Sequence, residues 1–120
     1  MNALSARYDL AVGRWTGSKG INRLNDDQET VGLALKNFLD VYEAADSYAD
    51  KLGLSPTAGD TSNPRFFAGQ AAGLMATTYL EDKKYKDCAL ALAWFRKADT
   101  EGALYQDAVV SLNSGEGGCP

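Results

Sequence analysis

A chain of 120 residues, 45% hydrophobic and 23% charged, is long enough to bury one core without metal or disulfide staples, and this composition excludes disorder throughout. A net charge of −4 with 12 scattered basic residues excludes the clustered cationic surface that nucleic acid requires, and no apolar run is long enough to cross a bilayer. Histidine is absent, which removes Ser-His-Asp and Cys-His catalysis, HExxH metal sites and imidazole acid-base chemistry together.

The N-terminal MNALSARYDLAVGRW lacks the charged-then-apolar order of a secretion signal, so a cytoplasmic protein is expected. Within it, residues 3 to 16 set Leu4, Tyr8, Ala11, Val12 and Trp15 at helical spacing and predict a first helix, with RYDLAVGRW the one stretch where a strand competes. GSKGINRLNDD then breaks the pattern, and Asn25 followed by Gln28 has the form of a capping box.

A long second helix is predicted over about 26–52. Val31, Leu35, Phe38, Tyr42, Ala45, Ala49 and Leu52 step alternately by four and three, the spacing of a heptad seam, and Leu33, Leu39, Val41 and Tyr48 widen its apolar surface. At 1.5 Å per residue this helix spans roughly 40 Å, longer than its neighbours, so Val31, Leu35, Phe38 and Tyr42 are candidates for an oligomer seam covered by a second copy. Asp40, Glu43, Asp46 and Asp50 recur away from the seam and read as a solvated face, open to a cation or a basic partner.

Gly53 stops that helix, and LSPTAGDTSN supplies a loop before Asn63 and Pro64, an N-cap followed by proline at the first helical position. GDTSN has too few carboxylates for calcium and reads as capping. The third helix, about 64–80, carries Phe67, Ala71, Leu74 and Thr78 on one side and the small residues Gly69, Ala72, Gly73 and Ala76 on another, where a neighbouring backbone can come close. LEDKKYKD is a short polar connection, so a fourth helix, about 83–99, is predicted to fold back as an antiparallel hairpin on the stripe Tyr85, Cys88, Leu92 and Phe95.

Gly102 closes the fourth helix, and ALYQDAVVSL predicts a short fifth. Residues 1–113 form one helical domain and 114–120 a flexible, glycine-rich tail. Two cysteines permit one disulfide but make neither a disulfide framework nor a CxxC pair; Cys88 reads as a small buried hydrophobe and Cys119 as an exposed thiol. Neither GxxxxGK[ST] nor GxGxxG occurs, so no nucleotide cofactor is expected, nor any metal.

From the third helix onward the chain resembles the tetratricopeptide and Sel1-like class of helical-hairpin repeats. Ala76, Tyr79, Tyr85 and Cys88 fall at tetratricopeptide offsets, while Ala91, Trp94, Phe95, Lys97, Ala98 and Gly102 fit the Sel1-like ending A-x-x-W-F-x-K-A-x-x-x-G. The resemblance covers residues about 64–102 and implies a scaffold for protein interaction. A generic helical bundle accounts for the same small interface residues and stands beside it.

The expected fold is therefore all-α: a single-domain bundle of four to five helices, with the long helix packed on the hairpin 64–80 and 83–99. The expected function is non-catalytic protein interaction, through the seam or through a hairpin groove lined by Phe66, Phe67, Tyr79, Tyr85 and Trp94. Trp94 and Phe95 point about 100° apart, so only one of them can face the core squarely. Two alternatives stay open. One is a small-molecule pocket beside the glycine and alanine side of the third helix, closed by Phe66, Phe67, Tyr79 and Trp94; the other is an enzyme using two inward carboxylates in a cleft with raised pKa.

Overall fold

The structure is a computed structural model that describes residues 2–16, 28–56, 60–82, 84–103, 106–107 and 109. The described residues form four helices and no strand: α1 (Asn2–Thr16), α2 (Gln28–Lys51), α3 (Pro64–Glu81) and α4 (Cys88–Thr100). RYDLAVGRW is helical, within α1. The expected capping box at Asn25, most of the expected fifth helix and the glycine-rich tail lie outside the described residues.

The helices run alternately up and down. The end of α1 meets the early part of α2 where Arg14 Nη1 donates to Asn37 Oδ1 at 2.5 Å. The end of α2 meets the start of α3 through Asp46, Asp50 and Arg65, and Gly69 near the start of α3 lies against Ala103 just past α4. Extents of 38 × 33 × 19 Å describe a slab about two helices thick.

Helix α3 is the centre of this slab because it is small and apolar nearly all round. Phe67, Ala68, Ala71, Ala72, Met75, Ala76 and Thr78 are buried on its several sides. A β-carbon at Gly69 would stand 2.9 Å from that of Ala103, so only glycine lets the chain after α4 cross α3 this closely. On the other side Val31, Ala34, Phe38, Val41 and Ala45 of α2 are fully buried, and Leu4, Ala11 and Trp15 of α1 close the core from a third direction. The Trp15 indole N–H donates to Thr78 Oγ1 at 2.7 Å, which satisfies its polar atom inside the core.

Local chemistry sets the ends. Asn63 caps α3 by accepting from the Arg65 amide at 3.0 Å, with Pro64 at the first helical position. Asp60 Oδ1 accepts from the Ser62 amide and hydroxyl, which holds the Asp60 carboxyl below its ordinary range and makes DTSN, residues 60–63, a capped turn. Gly53 and Gly102 take positive φ (66° and 92°), and the Leu54 and Ala103 amides reach back to the carbonyls of Ala49 and Ala98. This is the Schellman arrangement that ends α2 and α4 where the glycines predict.

Two readings are corrected. Helix α4 begins at Cys88, five residues later than its predicted start at 83, because Asp82 accepts from the amides of Lys84 and Tyr85 and Asp87 caps Leu90. Side-chain carboxylates thus hold residue 82 and residues 84–87 outside a helix where a periodic stripe suggested one. Cys88 is half-buried and disulfide-bonded, not a packed free thiol. The other cysteine of the chain, Cys119, lies outside the described residues.

Candidate functional site

Two places in the structure gather charged side chains. The first is where α2, α3 and the turn after α4 converge. Arg65 has its side chain 12% exposed; its Nε donates to the Leu54 carbonyl at 2.7 Å and its Nη2 to Asp50 at 2.7 Å. Its Nη1 lies 3.3 Å from Asp46 and 3.2 Å from Glu101. One guanidinium therefore ties three elements together, using the fan of donors that suits arginine to several acceptors at once.

Three carboxylates around one guanidinium leave an excess of negative charge. Glu101 is buried, and burial, together with its hydrogen bond to Asp46 and that residue's charge, pushes its carboxyl up to about 7 against the opposing pull of Arg65. The Glu101 carboxyl thus keeps its proton close to neutrality. Burial, and then the Asp46 charge, pushes the neighbouring Tyr42 hydroxyl up to about 12, so it stays neutral.

This is the inward carboxylate pair on which a carboxylate enzyme would rest. Arg65 sits across it, however, and neither the groove lined by Arg7, Asp40 and Glu43 nor that lined by Ala3, Leu4 and Tyr48 lies beside it. Its geometry is that of a clasp, with the acceptors already occupied by protein.

The predicted binding aromatics do not share one surface. Phe67 is buried and Phe66 half-buried; their rings meet edge to face at 5.3 Å, and Tyr8 of α1 stands 5.8 Å from Phe67. Tyr79 is half-buried between α3 and α4, with its carbonyl accepting from the Asp87 amide. Tyr85 is half-buried against α2, where a β-carbon at Gly32 would meet its hydroxyl. Phe95 is 4% exposed and is the core ring of its pair. Trp94 packs edge to face on Tyr42 at 5.1 Å, with the Lys97 ammonium 4.5 Å over its indole.

Side chains of α1 and α2 therefore meet these aromatics: Tyr8 stands against Phe67, Tyr42 against Trp94, and Tyr85 lies beside Gly32. The seam residues Val31, Leu35 and Phe38 are buried within the chain and Tyr42 is half-buried against Trp94, so the seam faces inward. At Gly69 the small side of α3 lies against Ala103 and Glu101, which leaves no open space at that position.

The second gathering lies on the opposite side of α2, along its boundary with α1. An open groove of about 630 Å³ is lined by Arg7, Leu10, Asn37, Asp40, Glu43 and Ala44. A smaller one of about 250 Å³, lined by Ala3, Leu4, Arg7, Ala44 and Tyr48, continues it through the shared Arg7 and Ala44. Ala3, Arg7, Leu10 and Arg14 repeat at helical spacing along α1, and Asn37, Asp40, Ala44 and Tyr48 along α2.

Leu10 is 53% exposed and Tyr48 45%, and Leu33, one turn before Asn37, is exposed as well. Arg7, Asp40 and Glu43 enter no ion pair among the described residues. The acidic residues were legible as a solvated face of α2. Arg7 and Leu10 were missed because Leu10 falls outside the core stripe of α1, and a lone exposed leucine gives no signal until a second helix lies beside it.

Among the described residues no group of three or more Asp, Glu or Cys side chains could hold a metal ion, and no helix is long and apolar enough to cross a membrane. The fold and its two charged sites define a small all-α protein with one closed and one open cluster. Comparison with family models, curated proteins and solved structures finds no match for this chain.

Proposed function

We propose that this is a non-catalytic protein-interaction module whose contact surface is the α1/α2 groove. The observation that carries this reading is the groove itself: Leu10 and Tyr48 stand exposed along it, with Arg7 on α1 and the acidic Asp40 and Glu43 on α2. An apolar stripe with charged edges is the usual makeup of a surface that desolvates its centre and keeps its rim wet. The long helix supports it from below, its buried side locked to the hairpin. The resemblance of 64–102 to helical-hairpin repeats enters here only as support for an interaction role, since side chains of α1 and α2 already meet the aromatics expected to line a hairpin groove.

The disulfide at Cys88 favours an oxidising compartment over the cytoplasm.

The test compares affinity capture from the native host by the wild-type chain and by Leu10→Asp and Tyr48→Asp, read by mass spectrometry. Proteins held by the wild type and lost with both variants, whose helical content is unchanged, support the reading. The same set captured by all three chains removes the groove as the surface.

A further inference from the structure

The occupant of this groove can be read from the order of its charges, and the inference rests on the reading above. We propose that the α1/α2 face is a contact between two copies of this chain, related by a two-fold axis that runs along the groove. The groove carries both signs: Arg7 on the α1 side, Asp40 and Glu43 on the α2 side. A partner segment of one sign meets repulsion from half of that lining, whereas a second copy carries both signs in the required order.

The geometry makes the order fit. Helices α1 and α2 are antiparallel neighbours, so a rotation about an axis between them and parallel to them lays α1 of one copy over α2 of the other at the same height. Arg7 lines the larger groove with Asp40, Glu43 and Ala44, and the smaller with Ala44, and therefore lies at their level. The rotation sets it against the partner's own Asp40 and Glu43 side, twice per dimer by symmetry.

Leu10 and Tyr48, at two heights along the groove, supply the apolar centre that such a contact buries. Arg7, Asp40 and Glu43 are exposed and enter no ion pair among the described residues, so the contact breaks none of the bonds described within the monomer.

The experiment measures mass by light scattering and sedimentation across micromolar concentrations. A species of twice the chain mass is expected. Arg7→Glu should weaken it at least about tenfold, because like charges then oppose each other at both symmetry-related positions. Combining Arg7→Glu with Asp40→Arg and Glu43→Arg restores the pairing and should restore the dimer; a combined variant as weak as Arg7→Glu alone overturns the proposal.

A photo-crosslinking residue at Leu10, with one at exposed Leu90 of α4 as control, separates the two readings in the native host. An adduct of two chains from Leu10 supports the dimer. An adduct with a different protein overturns the dimer and leaves the interaction surface standing. No adduct from Leu10, with a monomeric mass at every concentration, overturns both.

Discussion

Arg65 and Arg7 both sit against acidic residues of the same helix, α2, and only one of them is closed in. Arg65 lies where three elements converge, and the Leu54 carbonyl, Asp50, Asp46 and Glu101 surround its donors. Arg7 lies where only two helices meet, beside Asp40 and Glu43 but joined to neither. The same residue types thus form an internal clasp in one place and an open, charged groove in the other. The number of elements that converge decides between them, because a third element supplies the last acceptors and displaces the water.

The sharpest way to break this comparison is to remove each arginine. Arg65→Met leaves Glu101 and Asp46 facing each other without a cation and is expected to cost about 3 to 5 kcal/mol in urea denaturation. Arg7→Met should stay within about 0.5 kcal/mol of the wild type. Equal costs would mean that the clasp and the groove do not differ in kind.

A second test asks what else anchors α4. Cys88 stands at its first turn and Glu101 just past its end. Reducing the disulfide is expected to lower stability by about 2 to 4 kcal/mol, checked by denaturation with and without dithiothreitol. A reduced chain as stable as the oxidised one would leave α4 held by the clasp and by its buried side chains alone.

A third test uses pH. The Glu101 carboxyl, pushed up to about 7 in the fold, keeps a proton that the unfolded chain releases near the ordinary carboxylate value of 4.5. Between those values the folded state binds more protons, so stability falls as pH rises through that window and levels off above it. A loss on the order of 1 to 3 kcal/mol is expected across the window. Glu101→Gln, neutral at every pH, should flatten that slope; a slope that survives the substitution assigns the proton to another group.

The smallest effect is expected at the crossing of α3. Gly69→Ala adds helix propensity worth about 1 kcal/mol, but it sets a β-carbon 2.9 Å from Ala103. Overpacking here costs about 1 to 3 kcal/mol, so a net loss near 1 kcal/mol is expected by thermal melting. A gain would show that the segment after α4 shifts freely and that Glu101 is not rigidly held.

Much of the helical layout was legible along the chain. Asn63 and Pro64 announce the start of α3, Gly53 and Gly102 the ends of α2 and α4, and Leu4, Ala11 and Trp15 the buried side of α1, because capping and periodicity act over three or four residues. The start of α4 was misread because the spacing of Tyr85 and Cys88 continues a helical stripe, while Asp82 and Asp87 take up backbone amides in a turn. The heptad seam of α2 was legible as a buried stripe, yet spacing carries no information on whether the covering surface is another chain or α1 and α3. The pair Trp94 and Phe95 shows the same limit: their divergence follows from helix geometry, but burial of Phe95 and the seat of Trp94 on Tyr42 follow from where α2 lies.

The sequence by itself determined the all-α class, the local signals that start and stop the helices and the exclusion of histidine chemistry, since these depend on residue type and on backbone geometry over a few residues. Only the tertiary structure decided which charges close and which stay open. Arg65 and Glu101 are 36 residues apart in the chain and meet only because Gly69 lets the end of α4 cross α3. Arg7 and Asp40 become neighbours only when α1 lies along α2, and whether a charge is matched or left facing water depends on distances between helices that no local pattern encodes.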